Sequence, residues 1–145
     1  MKLLVQRVSS SRVLIQGNET ATIGKGILVF VSFDPEDTYS EITKLSEKLL
    51  NYKFFSGEDK KLSLSVLESK AEILVVPQVT LSINTKKGLK PSFSHAANPG
   101  TGLKLFSQFI NLLAISMKGI KAGEFGANMS IELVNDGPIT FWFES

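Results

Sequence analysis

Ala71-Glu72-Ile73-Leu74-Val75-Val76-Pro77-Gln78-Val79-Thr80-Leu81 is the stretch on which the fold turns. Its first half is apolar and rich in β-branched residues, which suits a strand. The pattern predicts one long strand over residues 71–83, interrupted by Pro77. Proline donates nothing to a sheet ladder, so Pro77 belongs at an edge or a break. Gln78 and Thr80 then place an amide and a hydroxyl near the strand end. Ile27-Leu28-Val29-Phe30-Val31 is a second continuous apolar run, bounded by Gly26 and Asp34-Pro35. Its length and β-branching favour a buried strand over a helix.

Outward from these runs, residues 3–8 and 13–16 read as strands. Gly17-Asn18 is a turn signal between Val13-Leu14-Ile15 and the polar stretch 19–23. Residues 62–67 form a short alternating segment. Residues 129–134 and 139–143 read as strands joined by Asn135-Asp136-Gly137-Pro138. A helix should follow Asp34-Pro35, capped by Asp34 or Asp37, because a short carboxylate accepts the free N–H groups of a first turn. Ile42, Leu45 and Leu49 share one face of it, and Phe54 and Phe55 lie past its end. Asn98-Pro99 starts a second helix, with a cap and then proline where a missing N–H matters least. Leu103, Phe106, Ile110, Leu113 and Met117 make its apolar stripe, and Gly119 can end it. Residues 84–97 form a polar loop carrying Lys86, Lys87 and Lys90. The expected fold is α+β: mostly antiparallel, twisted, barrel-like strands with two main helices packed on them. Pairing order does not follow from these patterns.

The chain has 145 residues, which suits one domain over 1–145. A domain of that size buries roughly 70% of its unfolded surface. It has no cysteine, which excludes disulfides, thiolate nucleophiles and thiolate metal sites. The net charge is +2. A protein that grips nucleic acid only through phosphates is usually more basic, so an RNA partner must be held by a local patch or by its terminal nucleotide. The opening Met1-Lys2-Leu3-Leu4-Val5-Gln6-Arg7 is too soon broken for a signal peptide. No run approaches the ~18 apolar residues of a membrane span. The expectation is a soluble, cytoplasmic protein without a membrane partner.

The chemistry-bearing residues are few. His95 is the only histidine, and a Ser-His-Asp device would have to use it. It sits in a polar loop among Ser92, Ser94 and Ala96, where a solvent-exposed histidine is the simpler reading. No His/Asp/Glu cluster has metal-ligand spacing, so neither metal nor cofactor is expected. If the chain is an enzyme, its chemistry rests on backbone groups, a hydroxyl or the substrate itself. Taken alone, Thr80 and Gln78 read as ordinary strand residues, Gly137-Pro138 as a hairpin turn, and Phe125 as core.

Together these segments resemble a known family. Gln78-Val79-Thr80-Leu81 followed by Lys87-Gly88-Leu89-Lys90-Pro91-Ser92-Phe93 is similar to the Ser-Gln-x-Thr-Leu segment and the basic-Gly-x-basic-Pro-Ser-Phe loop of the D-aminoacyl-tRNA deacylases. Asn135, Gly137, Pro138, Ile139 and Thr140 match that family's Asn-x-Gly-Pro-(Val/Ile)-Thr motif, and Phe141-Trp142 continue the likeness. Gln6-Arg7-Val8 resembles the family's first strand. Gly123-Glu124-Phe125-Gly126-Ala127-Asn128-Met129 resembles its Gly-x-Phe-Gly-Ala-x-Met stretch. The motifs occur in the family's order, and the likeness covers essentially the whole chain. One departure is Pro77, where the family usually has serine; a hydroxyl and a backbone N–H are lost there.

The resemblance implies hydrolysis of the ester between a D-amino acid, or mischarged glycine, and the terminal adenosine of tRNA. It implies a homodimer in which a Gly-cis-Pro turn, Gly137-Pro138, reaches into the partner subunit's site and Arg7 supports that turn. Phe125 would lie beside the pocket. Backbone N–H groups of Val79 and Thr80 would hold the oxyanion, with Thr80 positioning an attacking water or acting as nucleophile. Gln78 and the region of Leu89 would hold the adenosine, and Lys86, Lys87 and Lys90 would meet phosphates or remain a solvated loop. Three other readings stay open at this point: a paralogue with a trans Gly-Pro turn acting on a small L-amino acid, a non-catalytic nucleic-acid-binding module, and a structural dimer.

Overall fold

The computed structural model describes residues 1–85 and 88–145; Lys86 and Lys87 lie outside the described residues. The strands are β1 (Lys2–Ile15), β2 (Asn18–Ile23), β3 (Gly26–Ser32), β4 (Phe55–Ser56), β5 (Leu62–Leu64), β6 (Glu72–Pro77), β7 (Ile120–Ala122) and β8 (Met129–Glu144). The helices are α1 (Tyr39–Asn51), α2 (Val66–Ser69) and α3 (Pro99–Ser116), and Val79–Ser82 form a 3-10 turn. The main sheet runs β2-β1-β3-β6-β7, with β8 also pairing β1. Pairs within β1, β2, β3 and β8 are antiparallel, whereas β3-β6 and β6-β7 are parallel. The sheet is twisted and nearly closed, with β2 approaching β6 and β7. The α+β architecture expected from the sequence is the one observed.

The expected strands at 3–8 and 13–16 are one continuous strand. β1 gives its first half to β3 and its second half to β2, with β8 along both. The β1-β2 connection is Gln16-Gly17, at φ 51° and 81°. Both residues have the positive φ that a two-residue hairpin turn demands. Alternation divides the buried side chains between two cores. Ile27, Val29, Val31, Ile73 and Val75 face α1 and α3. Leu28, Leu74 and Val76 join Val8, Val13, Ala21 and Ile23 inside the curl of the sheet. Strands covered on both faces read as unbroken apolar runs.

Several boundaries differ from expectation. α1 is capped by Thr38, not by Asp34 or Asp37: Thr38 accepts from Ser40 N while Glu41 accepts from Thr38 N at 2.8 Å. Asp37 is occupied instead by Asp34 N and the Met1 amino group, at 2.6 and 2.5 Å. Ile42, Leu45 and Leu49 are buried as expected, and so are Phe54 and Phe55. Residues 62–67 split into β5 and the start of α2, because Ser65 and Glu68 form a capping box there. α3 begins with Asn98 accepting from Thr101 N at 3.0 Å. Its buried side is Gly102, Leu105, Phe106, Phe109 and Leu113. Leu103, placed in the stripe by its spacing, is half exposed.

The two largest corrections lie at the motifs. The strand from Glu72 ends at Pro77, and residues 79–82 coil into the 3-10 turn. Gln78 N donates to Val31 O at 2.7 Å, the last ladder bond to β3. On the other side β7 pairs only Ile73 to Val75, so Pro77 stands past the paired part, where its missing N–H leaves nothing unmatched. Residues 129–144 are not a hairpin. Both halves run in one direction along β1, and the Gly-Pro segment is a bulge. Gln6 faces Thr140 and Val8 faces Asn135, so Arg7 stands alone opposite Asp136, Gly137, Pro138 and Ile139.

Candidate active site

The ends of β3 and β6 come together with the start of α3 and residues 125–131 around a cleft of about 480 Å³. Its walls include Val31, Phe33, Pro77, Phe125, Met129 and Ile131, with Ser32, Gln78 and Asn128 as the polar members. Among the described residues, none that lines the cleft is ionisable. Glycines shape the walls: a Cβ on Gly102 would lie 2.9 Å from Phe125 Cζ, and one on Gly123 would lie 2.8 Å from Met129 Sδ. Those two side chains occupy their seats because the facing positions carry no side chain. Phe125 also packs on Phe106, with ring centroids 5.9 Å apart.

Val79 lines the cleft and Thr80 follows it, both exposed. The first hydrogen bond inside the 3-10 turn is Leu81 N to Gln78 O at 3.1 Å. The N–H groups of Val79 and Thr80 therefore have no acceptor within the turn, and no side chain caps it. The Gln78 side-chain amide donates to Thr80 Oγ1, which leaves the Thr80 hydroxyl proton free to donate elsewhere. His95 does not line the cleft; its Nδ1 lies 3.2 Å from Ser94 Oγ on an exposed loop. Among the described residues no three His, Cys, Asp or Glu side chains gather as a metal site.

The structure thus gathers Gln78, Val79 and Phe125 at one cleft, with Thr80 beside them. Leu89 is fully exposed and does not line it. Arg7, Gly137 and Pro138 lie elsewhere. Arg7 pairs with Ile27 on β3, whereas the cleft uses Val31, Ser32 and Phe33. Four to six strand residues separate them, about 13–20 Å. The bulge is nonetheless well tied. Arg7 Nε reaches Asp136 Oδ2 at 2.9 Å and Asp136 O at 3.2 Å, and Nη1 donates to Phe54 O at 2.8 Å. Asn135 Nδ2 bridges Arg7 O and Ile139 O, at 3.0 and 3.4 Å. Gly137 and Pro138 stay exposed at its tip, and the bond between them is cis. No sequence pattern marks Ser32, Phe33 or Gly102 as part of the cleft. Ser32 ends β3 and Phe33 follows it, as at the close of any apolar strand, and Gly102 is marked only by its contact with Phe125.

Comparison with known proteins gives the family. The family model described as D-Tyr-tRNA(Tyr) deacylase matches residues 4–144. The chain belongs to that family. It is 43% identical over 142 residues to a D-aminoacyl-tRNA deacylase of Haemophilus influenzae strain 86-028NP, covering 98% of each chain. It is 45% identical over 145 residues to the deacylase of Pseudomonas syringae pv. tomato, covering both completely. A solved structure titled c-Myc DNA Unwinding Element Binding Protein superposes with a TM-score of 0.96 at 37% identity, over 100% of this chain and 99% of that one. A probable eukaryotic D-amino acid tRNA deacylase shares the fold, with a TM-score of 0.84 at 19% identity.

Proposed function

We infer that this chain hydrolyses the ester joining a D-amino acid, or mischarged glycine, to the 3′-terminal adenosine of tRNA, a proofreading step in translation. The observation that carries the mechanism is a cleft with no ionisable wall among the described residues, next to two backbone N–H groups that lack acceptors in their turn. An aminoacyl ester is intrinsically labile, so the site needs no strong nucleophile. Water attacks the carbonyl, and the N–H groups of Val79 and Thr80 hold the oxygen on which charge develops. Such donors contribute roughly 3–4 kcal/mol each in well-studied hydrolases. The terminal 2′-OH helps move the proton from water to the departing 3′-oxygen, giving free amino acid and tRNA. Gln78 and the Leu89 region hold the adenosine, Phe125 walls the pocket, and Lys90 meets phosphate.

Chirality is selected by exclusion. Gly137 and Pro138 come from the partner subunit of a homodimer, held in shape by Arg7 and Asn135. Main-chain carbonyls of that bulge accept from the α-ammonium group, and an L side chain is driven against the proline ring. A clash discriminates better than a lost contact. The distance between a chain's own bulge and its own cleft supports assembly across subunits. One structural relative is called a c-Myc DNA Unwinding Element Binding Protein, but a net charge of +2 argues against gripping DNA through phosphates alone. Incubation with D-tyrosyl-, glycyl- and L-tyrosyl-tRNA tests the proposal. Release of the first two amino acids with sparing of the third is expected. Cleavage confined to an L-aminoacyl-tRNA, or binding without cleavage, would overturn it.

A further inference from the structure

A file of buried hydroxyls stands behind the 3-10 turn. Ser32 Oγ lies 2.7 Å from Ser82 Oγ, and Ser82 Oγ lies 2.6 Å from Asp34 Oδ1. Ser32 and Ser82 are only 2% and 3% exposed. Chemistry fixes the direction of the file. An ionised carboxylate only accepts, so Ser82 donates to Asp34. Ser82 has no second proton, so Ser32 must donate to Ser82. The other oxygen of Asp34 takes Lys2 Nζ and lies 3.4 Å from the Met1 amino group. Burial pushes the Asp34 carboxyl up, but hydrogen bonds from Lys2 and Ser82 and the nearby amino charge outweigh it and hold it below its usual range.

The file matters because it ties the far end of the turn to the body of the fold. Its near end is pinned by Gln78 N to Val31 O. Val79 is 46% exposed and Thr80 is exposed too, so packing holds the rim of the turn only in part. Ser82 is the one residue of the turn that is buried, and its hydroxyl ties the turn to the end of β3 and to the segment leading into α1. Val79 O lies 3.4 Å from Ser32 Oγ, so that carbonyl stands on the inner side of the turn and, across the trans peptide, the Thr80 N–H points away from it.

We propose that Ser82, working through Ser32 and Asp34, is a positioning residue for deacylation: it fixes the backbone N–H groups of Val79 and Thr80 against the cleft. This rests on the oxyanion role given to those groups above. The test compares wild type, Ser82→Ala and Ser82→Thr. Single-turnover hydrolysis of D-tyrosyl-tRNA should slow on the order of tenfold or more in Ser82→Ala, since small misplacements near the reacting atoms are costly. KM should stay within about twofold, and Ser82→Thr should recover most of the rate. Amide exchange at Leu81 and Ile83, which close the turn, should quicken on the order of tenfold in Ser82→Ala while Val29 and Val75 stay protected. A wild-type rate in Ser82→Ala, or a rise in KM alone, would overturn the proposal. So would unchanged exchange at Leu81 and Ile83. If Ser82→Ala does not fold, Ser32→Ala, which keeps the Ser82–Asp34 link, is held to the same outcomes. A wild type inactive on D-tyrosyl-tRNA would sink the functional reading, and the exchange measurement alone would then decide whether the file holds the turn.

Discussion

Thr80 carries the only hydroxyl on the exposed rim of the 3-10 turn, and its surroundings bear on what it can do. Its oxygen accepts from the Gln78 amide. Its proton has no base to go to among the described residues, where no ionisable side chain lines the cleft. An alcohol without a base is a poor nucleophile at neutral pH, so Thr80 is read as a donor that orients water or substrate. Thr80→Ala should keep activity within roughly tenfold of wild type, whereas a 2′-deoxy terminal adenosine should cost on the order of a hundredfold, as expected for losing a proton-transfer group. A folded but dead Thr80→Ala enzyme with full activity on the 2′-deoxy substrate would reverse the assignment. A second residue-level expectation concerns acid. Glu68 is held at about 2, against an ordinary 4.5, first by Lys53 Nζ and then by the N–H and hydroxyl of Ser65. A carboxyl with a lowered folded pKa stabilises above its unfolded value and loses that contribution as pH falls toward the folded one. The thermal midpoint of wild type should therefore drop more steeply than that of Glu68→Gln between pH 4.5 and about 2. Parallel curves would count against the pairing.

At the scale of elements, sequence patterns found what is local and missed what depends on a neighbour. The apolar runs at 27–31 and 73–76, the α1 face and the Asn98-Pro99 helix start are written in spacing and capping chemistry, and they stand as read. Pro77 marks a break because it cannot donate to the ladder, yet nothing in the sequence pattern marks the turn beyond it. Val79-Thr80-Leu81-Ser82 favours a strand by composition, and only the last ladder bond at Gln78 and the buried Ser82 hydroxyl bend it inward. By sequence the Gly-Pro segment reads as a hairpin, because Asn-Asp-Gly-Pro is turn chemistry. A bulge uses the same residues; what separates the two is that β1 is long enough to pair with both halves of β8. Arg7 is the main tether of that bulge. Arg7→Ala should leave the folded core nearly intact but lower the deacylation rate on the order of tenfold or more, through loss of its bonds to Asp136 and Phe54. Arg7→Lys should not rescue it, since a point-charge ammonium cannot serve both partners in the guanidinium's fixed geometry. Full activity in Arg7→Ala would show that the bulge keeps its shape without this tether.

The whole molecule divides its proposed site between two distant places. The cleft lies at the ends of β3 and β6, and the exposed Gly137-Pro138 tip stands opposite Arg7, near the other end of β3. No sequence pattern reports that distance, because it depends on the register of β1 against β3 and β8. Two-fold dimers are the commonest assemblies, and their interfaces exchange like for like. In such a dimer each cleft would receive the partner's bulge, so every site would be a hybrid. Mixed dimers test this without a structure of the complex. One parent, Val79→Pro, loses a cleft N–H while keeping a φ that the first position of a helical turn accepts. The other parent lacks Gly137 and Pro138 but keeps its cleft. Each parent alone should be nearly inactive. After random subunit exchange about half the dimers are mixed, and each mixed dimer holds one hybrid site built from the intact cleft and the intact bulge, so about a quarter of the sites should work. If cleft and bulge served the same chain, no mixture could contain a complete site. Activity returning to about a quarter of wild type on mixing supports assembly across subunits, and activity that stays at the sum of the parents rejects it.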